Sequence, residues 1–275
     1  MKDKLWNYLR HEKRNVKGWL QRVDAEIIGS ILSFQRQHNI VGSCVEIGVH
    51  HGKSFIPLCL SLNTGEEALC IDLFGDQEKN LDLSGKGDFE TFKKNIEKYG
   101  IDFSLLRIIQ GSSEDVKAND ILAQVKPVRF FSVDGGHWKS IVYNDLILAE
   151  KTLSAEGVIA LDDYFRATWP DVTYGYTSWQ HDTKSDIIPF AIGSNKLYLC
   201  RKDYASKYRT ALENQFLRQY FRKSYNSNGT IIDSYRLEPF RQDEERTIKS
   251  ILFSFGIFRP DIFVIVKKWF SKLRK

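Results

Sequence analysis

The sequence predicts an α/β protein: an open, doubly wound sheet, mostly parallel, whose last strand is antiparallel. Three observations predict it. From Cys44 onward, short apolar runs alternate with helical stretches, and such alternation implies a parallel sheet covered on both faces. A glycine-bearing segment follows the first run and opens a helix, as at the ligand edge of such sheets. Two late runs, 187–192 and 196–200, are separated only by Gly193-Ser194-Asn195, a spacing that suggests a hairpin.

Taken in order, residues 1–40 read as helical, because Ile27, Ile28, Ile31, Leu32 and Phe34 form one apolar stripe in a polar background. Strands are expected at 44–48, 68–73, 105–110, 129–134 and 157–162, with helices at 53–62, 88–99, 114–124 and 140–152 between them. The hairpin then closes the sheet. Residues 202–275 read as helical, with a loop at 224–230 where Asn226, Asn228 and Gly229 cluster. The chain therefore divides into a helical segment at 1–40, a sheet domain at 41–201 and an extension at 202–275.

Composition agrees with a folded, water-soluble body. Of 275 residues, 42% are hydrophobic and 27% charged, which excludes whole-chain disorder, collagen and coiled coil. The net charge of +5 is unevenly placed. Residues 202–275 hold 16 Lys/Arg against 8 Asp/Glu, which leaves residues 1–201 at −3. A slightly acidic body with a basic extension gives no argument for nucleic acid. Cys44, Cys59, Cys70 and Cys200 have no metal or redox spacing, so buried thiols in a reducing compartment are expected. Residues 1–22 are charged throughout and lack the apolar core of a signal peptide. No apolar run approaches the ~18 residues of a membrane span. The expected location is the cytoplasm.

The segment Val45-Glu46-Ile47-Gly48-Val49-His50-His51-Gly52-Lys53-Ser54 has the spacing E-x-G-x-x-x-G. Glycines there let the backbone approach a ligand closely. It is neither the dinucleotide G-x-G-x-x-G nor a P-loop, since Ile47 stands five residues before Gly52 where a P-loop needs glycine. Asp72 ends the second strand, and an acid there can accept both ribose hydroxyls of a nucleoside. Ser112, Ser113 and Glu114 follow the third strand, at the adenine border.

These residues, with the terminal hairpin, resemble class I S-adenosylmethionine-dependent methyltransferases over roughly residues 16–201. The resemblance implies a Rossmann-like sheet of seven strands, the last antiparallel. It assigns the methionine part of the cofactor to Glu46, Gly48 and Gly52 with the adjoining Ser54, and the ribose to Asp72. It sets Leu73 and Phe74 against the adenine, with Ser113 and Asp134 completing the cofactor site.

Asp134 ends the fourth strand and Asp162-Asp163 the fifth. Neighbouring strand ends lie about 5 Å apart, so the three carboxylates can converge and raise one another's pKa. A hard divalent cation such as Mg²⁺ relieves that repulsion. The alternative is that Asp163 caps the next helix and Asp134 serves only the cofactor. A cation also activates an aliphatic hydroxyl toward a methyl donor. His137, three residues beyond Asp134, titrates in the range a base requires. Lys139 is the rival base.

The D-x-x-H string with the paired acids is similar to the Mg²⁺-dependent sugar O-methyltransferases of antibiotic biosynthesis, the macrocin O-methyltransferase type. That resemblance implies a sugar or glycan acceptor, on a bacterial surface polysaccharide or a glycosylated natural product. It places metal ligation on Asp134, Asp162 and Asp163 and base catalysis on His137. His137-Trp138-Lys139 is also similar to catechol O-methyltransferase, where the lysine acts. A third reading is a non-catalytic, methyltransferase-like subunit of a membrane glycan assembly.

Aromatic residues from Trp169 to Trp179 follow the fifth strand and suit either the apolar faces of sugar rings or packing beneath a loop. At the end of the chain, Ile262, Val266, Trp269, Phe270 and Leu273 share one helical face amid lysines. Such a helix suits the inner membrane surface, its own domain or a second copy of the chain.

Overall fold

The computed structural model describes residues 3–76, 78, 80, 84–227 and 229–236. The amphipathic candidate at 262–275 lies outside the described residues. Among the described residues no helix is long and apolar enough to cross a membrane.

Among the described residues nine strands form one sheet. They are β1 (Ser43–Ile47), β2 (Ala68–Asp72), β3 (Leu106–Gln110), β4 (Val128–Val133), β5 (Leu153–Leu161), β6 (Ile187–Ile192), β7 (Leu197–Arg201), β8 (Phe221–Ser227) and β9 (Thr230–Tyr235). The order is β3-β2-β1-β4-β5-β7-β6-β9-β8. Pairing from β3 to β5 is parallel throughout. β7 runs antiparallel to both β5 and β6. The first seven strands are thus the expected mostly parallel sheet with its antiparallel strand. β1 and β4 are buried along their full length, as central strands covered on both faces must be.

Two apolar layers cover the sheet. One contains α2 (Arg22–Gln37), α3 (Phe55–Leu60), α4 (Phe89–Lys98) and α8 (Ala205–Ala211), with Ile27, Phe55, Phe92 and Tyr208 in its core. The other contains α5 (Ala118–Leu122), α6 (Lys139–Thr152) and α7 (Pro170–Thr183), with Ile121, Leu146 and Trp179. Strand alternation divides β1 between them: Val45 and Ile47 face the second layer and Cys44 the first. Short helices α1 (Lys4–Asn7) and α9 (Gln215–Arg218) are the other α-helices among the described residues. All four cysteines are free and buried.

At the far end of β4, Arg129 is fully buried but paired. It donates to Glu66 at 3.0 Å, to Gln35 Oε1 at 2.8 Å and to the Ser61 carbonyl at 3.0 Å. A buried cation persists only when its donors are matched in this way.

The extension departs from expectation. Residues 205–211 and 215–218 are helical, but β8 and β9 form an antiparallel hairpin where a loop at 224–230 flanked by helix is expected. The Asn228-Gly229 pair before the β-branched Thr230-Ile231-Ile232 is a hairpin signal. Asn226 Oδ1 accepts the Gly229 N–H at 3.0 Å, with Gly229 at φ +82°. Through β9 the hairpin joins β6 in parallel, and Arg209 of α8 ion-pairs with Asp233 at 3.0 Å.

Candidate active site

β1 and β4 are adjacent, and their chain connections lead in opposite directions across the sheet. At such a switch point the strand ends leave a crevice. A cleft of about 370 Å³ opens there, along the carboxyl ends of β1, β2, β4 and β5.

Its first half is shaped by backbone. Gly48 has φ +81°, and a Cβ there would stand 1.7 Å from the Asp134 carbonyl oxygen. Only glycine lets β1 turn so closely past β4. His50, at φ +52°, donates its N–H to Asp72 Oδ2 at 2.7 Å. Asp72 therefore ties the glycine loop to the end of β2. Its burial raises the carboxyl pKa, while backbone amides of His50 and Phe74 act the other way. Lys53 closes one side by donating to the Gly18 carbonyl at 2.7 Å.

Gly48, Ser54, Asp72, Leu73, Ser113 and Asp134 line this cleft. Three other expected cofactor residues are placed elsewhere. Gly52 has φ +89° and closes the turn by donating to the Val49 carbonyl at 2.7 Å, packed on Phe92 rather than facing the cleft. Glu46 is fully buried within β1, and burial pushes its carboxyl up to about 7 despite the nearby Lys196. Phe74 is buried too, its ring 5.2 Å from Phe89 and 5.4 Å from Phe92, because a left-handed φ of +48° turns it into the core.

The other half is built by side chains. Ligand atoms of Asp134, His137 and Asp163 all lie within 4.8 Å of one another. His137 Nε2 is 2.8 Å from Asp163 Oδ2, and its ring stacks on Trp169 at 4.2 Å and 13°. Asp163 has φ +55°, a conformation Asp tolerates better than most residues and one frequent at functional sites. Burial would raise Asp163, but hydrogen bonds from His137, Asn195 and Arg166 hold it well below the usual carboxylate range. Asp134 goes the opposite way: burial and the neighbouring Asp162 push it well up, against the pull of Lys196.

Asp162 stands slightly apart from this group. Its Oδ2 is 2.7 Å from Lys196 Nζ, and its Oδ1 accepts from Asn195 Nδ2 at 2.6 Å and from the Asp163 N–H at 2.9 Å. The expected trio of acids does gather at one place, but His137 rather than Asp162 completes the set nearest a common centre. Lys139 is not brought to the cleft. As the first residue of α6 it is exposed and absent from the lining. Of the aromatic segment, Trp169 lines the cleft, whereas Trp179 is buried in the core.

Sequence reasoning missed Asn195, Lys196, Arg166 and Asp24. Asn195 sits in the β6–β7 turn and donates to both Asp162 and Asp163. Asp24 of α2 accepts the Asn195 N–H at 3.0 Å and the Tyr198 hydroxyl at 3.0 Å, so the N-terminal helix holds that turn. Asn195 read as an ordinary turn residue. The one available signal was a lysine at the mouth of an otherwise apolar strand.

The donor set fits a hard divalent cation. Asp134 and Asp163 offer carboxylate oxygens at one point, and Mg²⁺ is commonly held by one or two carboxylates with the remaining positions left to water or substrate.

Residues 45–164 match a family model described as a methyltransferase domain. No curated protein matches the chain. Among solved structures the chain is similar to the O-methyltransferase NovP at 17% identity, covering 66% of this chain and 81% of that one, with a TM-score of 0.56. It is similar to an O-methyltransferase from Bacillus cereus in complex with SAH at 14% identity, covering 72% and 90%, with a TM-score of 0.51. It also resembles CalS11, a TDP-rhamnose 3′-O-methyltransferase of calicheamicin biosynthesis, at 14% identity, covering 74% and 88%, with a TM-score of 0.50. At these identities the likeness is one of fold. Residues 45–164 thus match a methyltransferase domain, and the β3-β2-β1-β4-β5-β7-β6 order agrees with the fold of the O-methyltransferases to which the chain is similar.

Proposed function

We propose that the protein methylates a hydroxyl group of a sugar, with a divalent cation such as Mg²⁺ at Asp134 and Asp163 and with His137 as the base. The observation that carries this reading is the juxtaposition of His137, Asp163 and Asp134 in the cleft that the glycine loop shapes. A sugar hydroxyl hardly ionises near neutral pH, so its methylation needs both a proton acceptor and local positive charge.

When bound, S-adenosylmethionine supplies the methyl group and the cation supplies Lewis acidity. The chain's own residues do the rest. Asp72 and the Gly48 loop hold the nucleoside end. Asp163, kept anionic by Asn195 and Arg166, orients the His137 ring and favours its protonated form once a proton has moved onto it. Trp169 fixes the ring from its face. The sugar acceptor is supported by CalS11, a TDP-rhamnose 3′-O-methyltransferase, only as a structural relative. It is further supported by the exposed aromatics Trp138, Phe165 and Tyr174 on the segments around this half of the cleft, which suit the apolar faces of a pyranose. Lys139, the base of the phenol alternative, has no place in this cleft.

The test is conversion of S-adenosylmethionine in the presence of nucleotide sugars and oligosaccharides, with and without a chelator. Turnover should appear with a sugar acceptor, collapse on chelation and return with Mg²⁺. Full turnover after chelation, and again in Asp163→Ala, would overturn the metal-assisted reading.

A further inference from the structure

Lys196 stands one residue before β7 and is 2% exposed. Its ammonium lies 2.7 Å from Asp162 Oδ2 and 3.7 Å from Asp134 Oδ2. The place between two carboxylates of a cation-binding cluster is thus already occupied by a cation that the fold supplies. The opposite oxygen of Asp162 is also taken, by Asn195 Nδ2 and the Asp163 amide. Both oxygens of Asp162 therefore face fixed donors.

Asp163 and Asp134 are engaged differently. Asp163 shares the Asn195 amide with Asp162, at 2.8 Å, but its other partners are His137 and Arg166, and the Arg166 side chain is 45% exposed. Asp134 meets Lys196 only at 3.7 Å and retains 22% exposure. Asp163 can turn toward an entering ion by displacing the exposed Arg166, and Asp134 by moving away from an ammonium 3.7 Å distant. Asp162 cannot do so without stripping the buried Lys196 ammonium of its nearest carboxylate, which is unfavourable.

We propose that Lys196 is a built-in counter-cation that withdraws Asp162 from the divalent-ion shell, so that of the three strand-end acids only Asp134 and Asp163 ligate. Asp162 then acts as a positioning residue that anchors Lys196 and Asn195. A fixed positive charge beside the shell weakens ion binding by direct repulsion. Its removal should strengthen binding by freeing Asp162. The inference rests on the metal reading given above.

The experiment measures Mn²⁺ affinity by calorimetry and by electron paramagnetic resonance, using the full chain saturated with S-adenosylhomocysteine. Asp134→Asn and Asp163→Asn should each weaken Mn²⁺ by about tenfold or more, whereas Asp162→Asn should stay within about threefold of the parent. Lys196→Met should bind Mn²⁺ at least about threefold more tightly. Retained affinity for S-adenosylhomocysteine shows that each variant is folded. If Lys196→Met does not fold, the contrast between Asp162→Asn and Asp163→Asn decides alone. Equal losses in those two variants, or weaker Mn²⁺ binding in a folded Lys196→Met, would overturn the inference while leaving the metal reading intact. Absence of Mn²⁺ binding by the parent protein would overturn both.

Discussion

The two halves of the cleft are built by opposite means. The half around the glycine loop is made largely by backbone, at Gly48 and His50, tied to the strand end at Asp72. The acidic half is made by side chains from four separate stretches: residue 24, residues 134–137, residues 162–169 and residues 195–196. A backbone site depends on a few steric necessities and is intolerant at single positions. A side-chain site depends on charge balance and changes by degrees.

The contrast is sharpest at Gly48. Gly48→Ala puts a methyl group 1.7 Å from the carbonyl oxygen of Asp134, the residue that follows β4. Neither partner can yield, so a loss of more than ~4 kcal/mol of stability is expected, the largest effect of any substitution considered. Thermal unfolding and calorimetry with S-adenosylhomocysteine check it. A folded, ligand-binding Gly48→Ala would break the claim that this half rests on backbone sterics.

In the acidic half, His137→Ala should reduce turnover by about 10²- to 10⁴-fold, as expected for loss of a positioned base. Cofactor affinity and melting temperature should move little. An equal loss in both would mean that His137 is a structural prop for Asp163.

A smaller effect separates the halves by pH. Glu46 is buried between them with its carboxyl raised from 4.5 to about 7 by burial. A carboxyl whose folded pKa is raised binds more protons in the folded state, so its stabilising contribution is full below the unfolded pKa and is lost as pH rises through the folded one. Stability from this group therefore falls between about pH 4.5 and 7. Glu46→Gln should remove that slope and raise stability at pH 8 by about 1–3 kcal/mol. Melting temperatures across that range test it, and parallel curves for parent and variant would contradict it.

The smallest effect is expected at Lys139. Its exposed place at the start of α6 predicts turnover within about twofold of the parent for Lys139→Ala. A large loss would return the phenol-type mechanism to consideration.

These differences explain what was legible in the sequence. The strand–helix alternation, the glycine loop and Asp72 are local patterns, and the structure keeps them at nearly the expected residues. The three acids were legible because strand ends in a parallel sheet are neighbours. Three roles within the loop were not. Gly52 and Phe74 face the core through positive φ values, and Glu46 is enclosed within its strand, none of which follows from residue type. Asn195, Lys196 and Asp24 were not legible because their meaning lies in partners more than thirty residues distant or, for Asp24, 171 residues distant. The β8–β9 hairpin was not legible because a strand exposed along its whole length carries no apolar alternation.

The sheet order has a consequence for the sequence of events during synthesis. β6 emerges from the ribosome before β7, yet β7 lies between β5 and β6. The earlier strand therefore has no place on the sheet until the later one has docked. A nascent chain extending as far as Ile192 already holds all three strand-end carboxylates but lacks the lysine that balances them. The same insertion that completes the seven-stranded sheet delivers Asn195 and Lys196 to those acids, so closure of the fold and neutralisation of the site are one step.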